Sequence, residues 1–161
     1  PWRMHTEYLY RLYLDNELAS NRFPVDGKLI RLSDIRVPMF VVGTEADHVA
    51  PWKSVYKVDN LVRSDDFTFL LTAGGHNAGI VCGPVHPKRH YRIATRRLVD
   101  PHLAPEDWVE SATRHEGAWW PAWQQWLAKR SSGKVKPPAM GAARKGYGVV
   151  EDAPGQYIRQ R

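Results

Sequence analysis

The sequence predicts an α/β fold with a parallel sheet and flanking helices, and three observations carry that expectation. Residues 39–43, Met-Phe-Val-Val-Gly, are apolar without alternation, as a strand buried on both faces requires. A second run of the same kind, Phe-Thr-Phe-Leu-Leu, occupies residues 67–71. Between them, Pro51 and Trp52 open a helix that runs to about Val62, with proline where its missing N–H costs nothing. Strand, helix and strand in that order make one βαβ unit, which pairs its strands in parallel.

The remaining elements follow in chain order. Met4, Tyr8, Leu12 and Leu18 recur at helical spacing, so residues 3–18 form a helix. Pro24 and Gly27 mark a turn in residues 21–27, residues 29–32 make a short strand, and residues 33–38 make a one-turn connector. Residues 83–87 are an irregular excursion, followed by a polar stretch to Pro105 in which no strand is expected. Pro105 starts a helix whose first turn carries Glu106 and Asp107, acids that complement its dipole. Trp119, Trp120, Trp123 and Trp126 belong to a further helix with Pro121 near its first turn, and their spacing reads first as one packed face. The chain thus holds two core strands of a larger sheet, whose edges would be unpaired. The expected division is residues 1–32 as a lead-in, 33–130 as the α/β part and 131–161 as a basic tail.

Composition narrows the function. The chain of 161 residues is 43% hydrophobic and 11% aromatic, enough for one real core. Its formal charge of +6 lies entirely in residues 129–161, which hold eight basic and two acidic residues, leaving 15 of each before them. That tail is interleaved with Ser, Pro and Gly, so it reads as a solvated extension and not as a nucleic-acid groove. One cysteine, Cys82, excludes an internal disulfide and fits a reducing cytoplasm. No apolar run approaches the roughly 18 residues of a membrane span. Pro1 in place of an initiating Met fits a piece cut from a longer chain.

Two loops carry chemistry. Asp47 follows the first strand, and His76 follows the second within Gly74-Gly75-His76-Asn77-Ala78-Gly79. An acid and then a His, each on the turn after a strand, form the closing half of an α/β-hydrolase site, whose order is nucleophile, acid, His. The nucleophile is missing. Cys82 sits after the His, in Ile80-Val81-Cys82-Gly83-Pro84, without the glycine or the strand-to-helix turn of an elbow. Glu45 is a competing acid, and either carboxylate could merely cap the helix entered at Pro51. His86, His90 and His102 lack a metal-binding pattern, so neither metal nor cofactor is expected.

Four segments, taken together, resemble the carboxyl-terminal part of polyhydroxyalkanoate synthases. They are residues 34–38 (DIRVP), 43–52 (GTEADHVAPW), 75–81 (GHNAGIV) and 115–123 (HEGAWWPAW), and residues 153–158 (APGQYI) resemble the family's final segment. The resemblance covers nearly the whole chain and implies the carboxyl-terminal half of an incomplete, three-layer α/β-hydrolase-like domain. It also implies a cytoplasmic, granule-associated acyltransferase, a homodimer when complete, which loads (R)-3-hydroxyacyl-CoA onto a cysteine and extends a polyester while releasing CoA. The family's Gly-x-Cys-x-Gly elbow is absent, so the chain is expected to begin in or after the cap region and to be inactive alone.

On this resemblance His76 is the general base, and Asp47 either orients His76 or activates the 3-hydroxyl of an acyl unit. His48, Trp52 and Asn77 are expected at the substrate, His48 orienting the loop by hydrogen bonding, while Trp52, in a first helical turn, is equally read as core. The alternatives are part of an esterase, thioesterase or polymer depolymerase, or a non-catalytic module that binds a granule or a partner subunit.

Overall fold

The computed structural model describes residues 1–84, 86 and 88–160. They divide into two units, residues 1–127 and 128–161.

In the first unit, strand β3 (Met39–Thr44) pairs in parallel with β4 (Phe67–Thr72), in the register Val42 to Leu70 and Thr44 to Thr72. The helix between them, α2 (Trp52–Tyr56), continues as a 3-10 turn through Asn60. The βαβ unit is therefore as the sequence predicts. Earlier in the chain, α1 (Trp2–Tyr8) passes into a π-helical turn at Leu9–Leu14. A two-stranded ribbon, β1 (Phe23–Val25) and β2 (Lys28–Ile30), follows. Pro24 lies within β1, and the turn is Asp26-Gly27, both at positive φ (48° and 75°). A two-residue Asp-Gly loop of that kind matches the twist of a hairpin.

The sheet is larger than expected and mixed. Strand β5 (His90–Arg96) lies antiparallel beside β4, helix α3 (Pro105–Ser111) follows, and β6 (Thr113–Glu116) lies antiparallel beside β5. The order is β3-β4-β5-β6. In β5 His90, Arg92 and Arg96 are interspersed with Tyr91, Ile93, Ala94 and Thr95, and β6 is exposed throughout, so neither has the apolar run that marks β3 and β4. Charge on such an outer strand also discourages pairing with another chain.

Period-2 alternation distributes the two faces of the sheet. Phe67, Phe69, Leu71, Met39, Val41 and Ala94 pack with Tyr56, Val62, Trp108 and Ala112 of the α2 and α3 layer. On the opposite face Phe40 meets Trp119 and Trp126, which belong to or adjoin helix α4 (Trp120–Ala128). Helices on both faces complete three layers. In the second unit the described residues are almost all exposed and form one bridge, Ala142 to Tyr147, and two 3-10 turns. No described helix is long and apolar enough to cross a membrane.

Candidate active site

Parallel pairing places the loops after β3 and β4 at one edge of the sheet, where open α/β folds collect their site residues. Backbone bonds extend the pairing past the strand ends, from Glu45 N–H to the Thr72 carbonyl (2.9 Å) and from Ala46 N–H to that of Gly74 (3.0 Å). The His76 loop is thereby held against the Asp47 loop. Gly74 sits at φ +111°, and a Cβ there would lie 2.5 Å from the Arg89 guanidinium and 2.9 Å from Gly79 Cα. Gly79 is just as confined: a Cβ on it would lie 2.6 Å from the Thr44 methyl. Both positions demand glycine.

Asp47 and His76 meet. The Nδ1 of His76 lies 3.0 Å from Oδ2 and 3.2 Å from Oδ1 of Asp47, within direct hydrogen-bonding reach. The carboxylate accepts three further bonds. Val49 and Ala50 donate their amides to Oδ1 (2.9 and 2.8 Å), and the Thr44 hydroxyl donates to Oδ2 (3.3 Å). Asp47 thus ties down its own loop, short of the helix start at Pro51.

Donors of this kind favour the charged form of a carboxyl group. The Ala50 amide is the largest influence and His76 the next, and together they bring the Asp47 pKa down to about 2. An unfolded Asp titrates near ~3.9. The stabilisation from this charge is accordingly complete above about pH 4 and is lost as pH falls toward 2. In a carbon-detected NMR titration the Asp47 carboxyl should therefore show a midpoint near 2. His76→Gln should raise that midpoint only part of the way to the ordinary value, because the amides remain. A midpoint near 4 in the parent protein would mean that the amide contacts do not form in solution.

The other expected site residues fall differently. Glu45 is not a rival for His76, because its carboxylate faces His90 Nε2 at 3.1 Å from both oxygens. His48 is exposed and makes no side-chain hydrogen bond among the described residues. The loop is oriented by Asp47 and not by His48 as expected. Trp52 packs against Tyr56, Phe69 and Trp108 at ring distances of 6.3–6.5 Å, so its half-buried ring lies against the core. Asn77 is exposed and shapes the turn through its carbonyl, which accepts from the amides of Ile80 and Val81. Cys82 is buried, its thiol 3.9 Å from the Gly83 carbonyl. Of the three histidines weighed for metal, His90 pairs with Glu45 and His102 with Asp59, in separate clusters. Val85 and Pro87, in the irregular excursion, lie outside the described residues.

Three participants escaped the sequence reading. Thr44 is the last residue of β3, three before the acid it bonds. Trp119 and Trp120 donate their indole N–H groups to the carbonyls of Gly79 (3.1 Å) and Ile80 (2.8 Å), in the His76 loop. Spacing alone cannot show which indoles find polar partners.

At the carboxyl edge of a three-layer α/β sheet a carboxylate thus holds a half-exposed imidazole, the arrangement by which α/β-hydrolase-type folds set an acid beside a His. Known proteins narrow that class. The chain is 36% identical over 161 residues to the poly(3-hydroxyalkanoate) polymerase subunit PhaC of Rhizobium etli, a match covering 98% of this chain and 24% of that protein. It is 35% identical to the subunit of the same name from Cupriavidus necator, over all of this chain and 26% of the relative. The poly(3-hydroxyalkanoate) polymerase of Methylorubrum extorquens is 33% identical over the same shares. No family model matches the chain. The chain is similar over its whole length to poly(3-hydroxyalkanoate) polymerases and spans about a quarter of the length of these relatives.

Proposed function

We propose that this chain supplies the acid–base half of a poly(3-hydroxyalkanoate) polymerase, with the nucleophilic cysteine coming from polypeptide outside these 161 residues. The observation that carries the reading is the Asp47–His76 contact in a chain whose relatives bear the polymerase name. In the relatives the name is that of a polymerase and not of an esterase or depolymerase, which favours acyl transfer to an alcohol over transfer to water.

The chemistry starts from the tautomer. With Nδ1–H donated to Asp47, the Nε2 of His76 is left as the base. It takes the proton of the cysteine thiol as the sulfur attacks the thioester carbonyl of (R)-3-hydroxyacyl-CoA, and it returns that proton to the departing CoA thiolate. The acyl group is then held as an enzyme thioester. In the next step Nε2 takes the proton of a 3-hydroxyl, the alkoxide attacks the thioester, an ester forms, and the cysteine sulfur leaves and is reprotonated.

The structure bears on which group activates that hydroxyl. A carboxylate has about four acceptor positions, and those of Asp47 face Val49, Ala50, Thr44 and His76. A carboxyl titrating near 2 is also a weak base at neutral pH. Both facts support Asp47 as the orienting acid and His76 as the base in both half-reactions. The complete enzyme acts in the cytoplasm at the granule surface as a homodimer, and it uses no metal or cofactor.

The 161-residue chain incubated alone with (R)-3-hydroxybutyryl-CoA should release no CoA thiol, because it holds base and acid but no activated nucleophile. The polymerase polypeptide that includes it should release CoA and form polyester, with Cys82→Ala as active as the parent. Release by the isolated chain that disappears in Cys82→Ala would overturn the assignment.

A further inference from the structure

We propose that Trp119 is a positioning residue for His76, its indole N–H fixing the turn that presents the imidazole to Asp47. The inference rests on the catalytic reading of His76 given above.

The His76 loop has little with which to hold itself in place. His76, Asn77 and Ala78 are exposed, and the local bonds are those of a single turn: Gly79 N–H to the Gly75 carbonyl, and the amides of Ile80 and Val81 to the Asn77 carbonyl. A turn with no buried side chain among its central residues gains no packing energy to resist opening. Its restraint comes from neighbours. At the start of the loop, Ala46 N–H holds the Gly74 carbonyl. At the end, Trp119 and Trp120 hold two successive carbonyls, Gly79 and Ile80.

Of the two indoles, Trp119 is placed to act on the catalytic pair. It is buried, so its hydrogen bond is shielded from water and its loss would leave the Gly79 carbonyl without this donor. Its ring also stacks on Phe40 at 6.5 Å, and Phe40 lies in β3, the strand that leads into the Asp47 loop. One side chain therefore touches the acid's strand through its ring and the base's loop through its N–H. Gly79, the residue it holds, is wedged against Thr44, which bonds Asp47. A shift of Gly79 would be felt on both sides of the Asp47–His76 bond.

Trp119→Phe keeps an aromatic ring against Phe40 and removes the donor. In the polymerase polypeptide, with (R)-3-hydroxybutyryl-CoA as acyl donor, kcat should fall about tenfold while KM stays within about twofold, since the loss touches the transition state and not ground-state binding. Hydrogen–deuterium exchange of residues 76–81 should rise about tenfold, with the amides of β4 unchanged. Trp123→Phe serves as the control, because Trp123 packs on Trp119 at 5.9 Å and makes no hydrogen bond to the loop among the described residues; it should leave kcat and exchange as in the parent. Should Trp119→Phe fail to fold, Trp120→Phe tests the same clamp at Ile80, with an expected change of about threefold. Unchanged exchange in residues 76–81, or a rise spread evenly over β4 and the loop, overturns the proposal. A polymerase without CoA release in its parent form would instead refute the catalytic reading, while the exchange data would still decide whether Trp119 holds the loop.

Discussion

His76→Gln in the polymerase polypeptide should slow acyl loading of the nucleophilic cysteine by about a thousandfold, within the range attributed to a lost general base. Glutamine preserves the size and polarity of the side chain but has no nitrogen that accepts a proton near neutral pH. Asp47→Asn should lose as much, for a reason visible in the local bonds. The Val49 and Ala50 amides demand an oxygen acceptor at Oδ1, so the asparagine turns its carbonyl toward them. Its NH2 group then occupies the Oδ2 position and donates to His76 Nδ1, which drives the ring proton to Nε2 and leaves no base there. Rapid-quench measurement of single-turnover loading, followed by chain extension, separates the two half-reactions. Both variants should fail at loading and at extension together. An Asp47→Asn enzyme that loads at the parental rate and only then stalls would show that Asp47 acts on the 3-hydroxyl.

Much of this site was legible because it rests on strands that advertise themselves. The runs at residues 39–43 and 67–71 are apolar apart from Thr68, and an unalternating apolar run of that length between turn signals reads as a buried strand. Once those strands are paired in parallel, the loops of Asp47 and His76 must share an edge, and the 3.0 Å contact follows from topology. What stayed hidden is half-buried or polar. Strand β5 carries Arg92 and Arg96, whose guanidinium groups reach the Ala112 carbonyl and Asp59, so its charges signal tertiary partners that a linear reading mistakes for solvent. Strand β6 is an exposed outer strand with no apolar pattern to detect. Trp52 could be read from sequence either as pocket lining or as core. Its neighbourhood in sequence is the acid loop, but the first turn of α2 directs its ring against the core.

The largest stability effect is expected at Asp59, away from the catalytic edge. This carboxylate is almost fully buried, and Arg96 grips it through Nε (2.8 and 3.0 Å) and Nη2 (2.6 Å). His102 Nδ1 lies 2.7 Å from its other oxygen, and Asn60 donates its amide to His102 Nε2 at 3.0 Å, which leaves Nδ1 as the protonated nitrogen. The group ties the end of α2 to β5 and to the loop before α3. Tyr56 closes it from the core side, its ring stacked 5.4 Å from His102, and its pKa is pushed up to about 12 by burial first and by the Asp59 charge second. Asp59→Ala strands the Arg96 charge, 17% exposed, without its counter-ion. Removing one partner of a buried pair costs about 3–5 kcal/mol, and the partial exposure of Arg96 places the expected loss near ~3 kcal/mol. Removing both charges should cost much less, since apolar groups of similar size often replace a buried pair without penalty. Urea denaturation should therefore show Asp59→Leu combined with Arg96→Met to be more stable than Asp59→Ala, despite the second substitution. A single variant within about 1 kcal/mol of the parent, or a double variant weaker than the single one, would mean that the cluster is held by packing around Tyr56 and Trp108 and not by its charges.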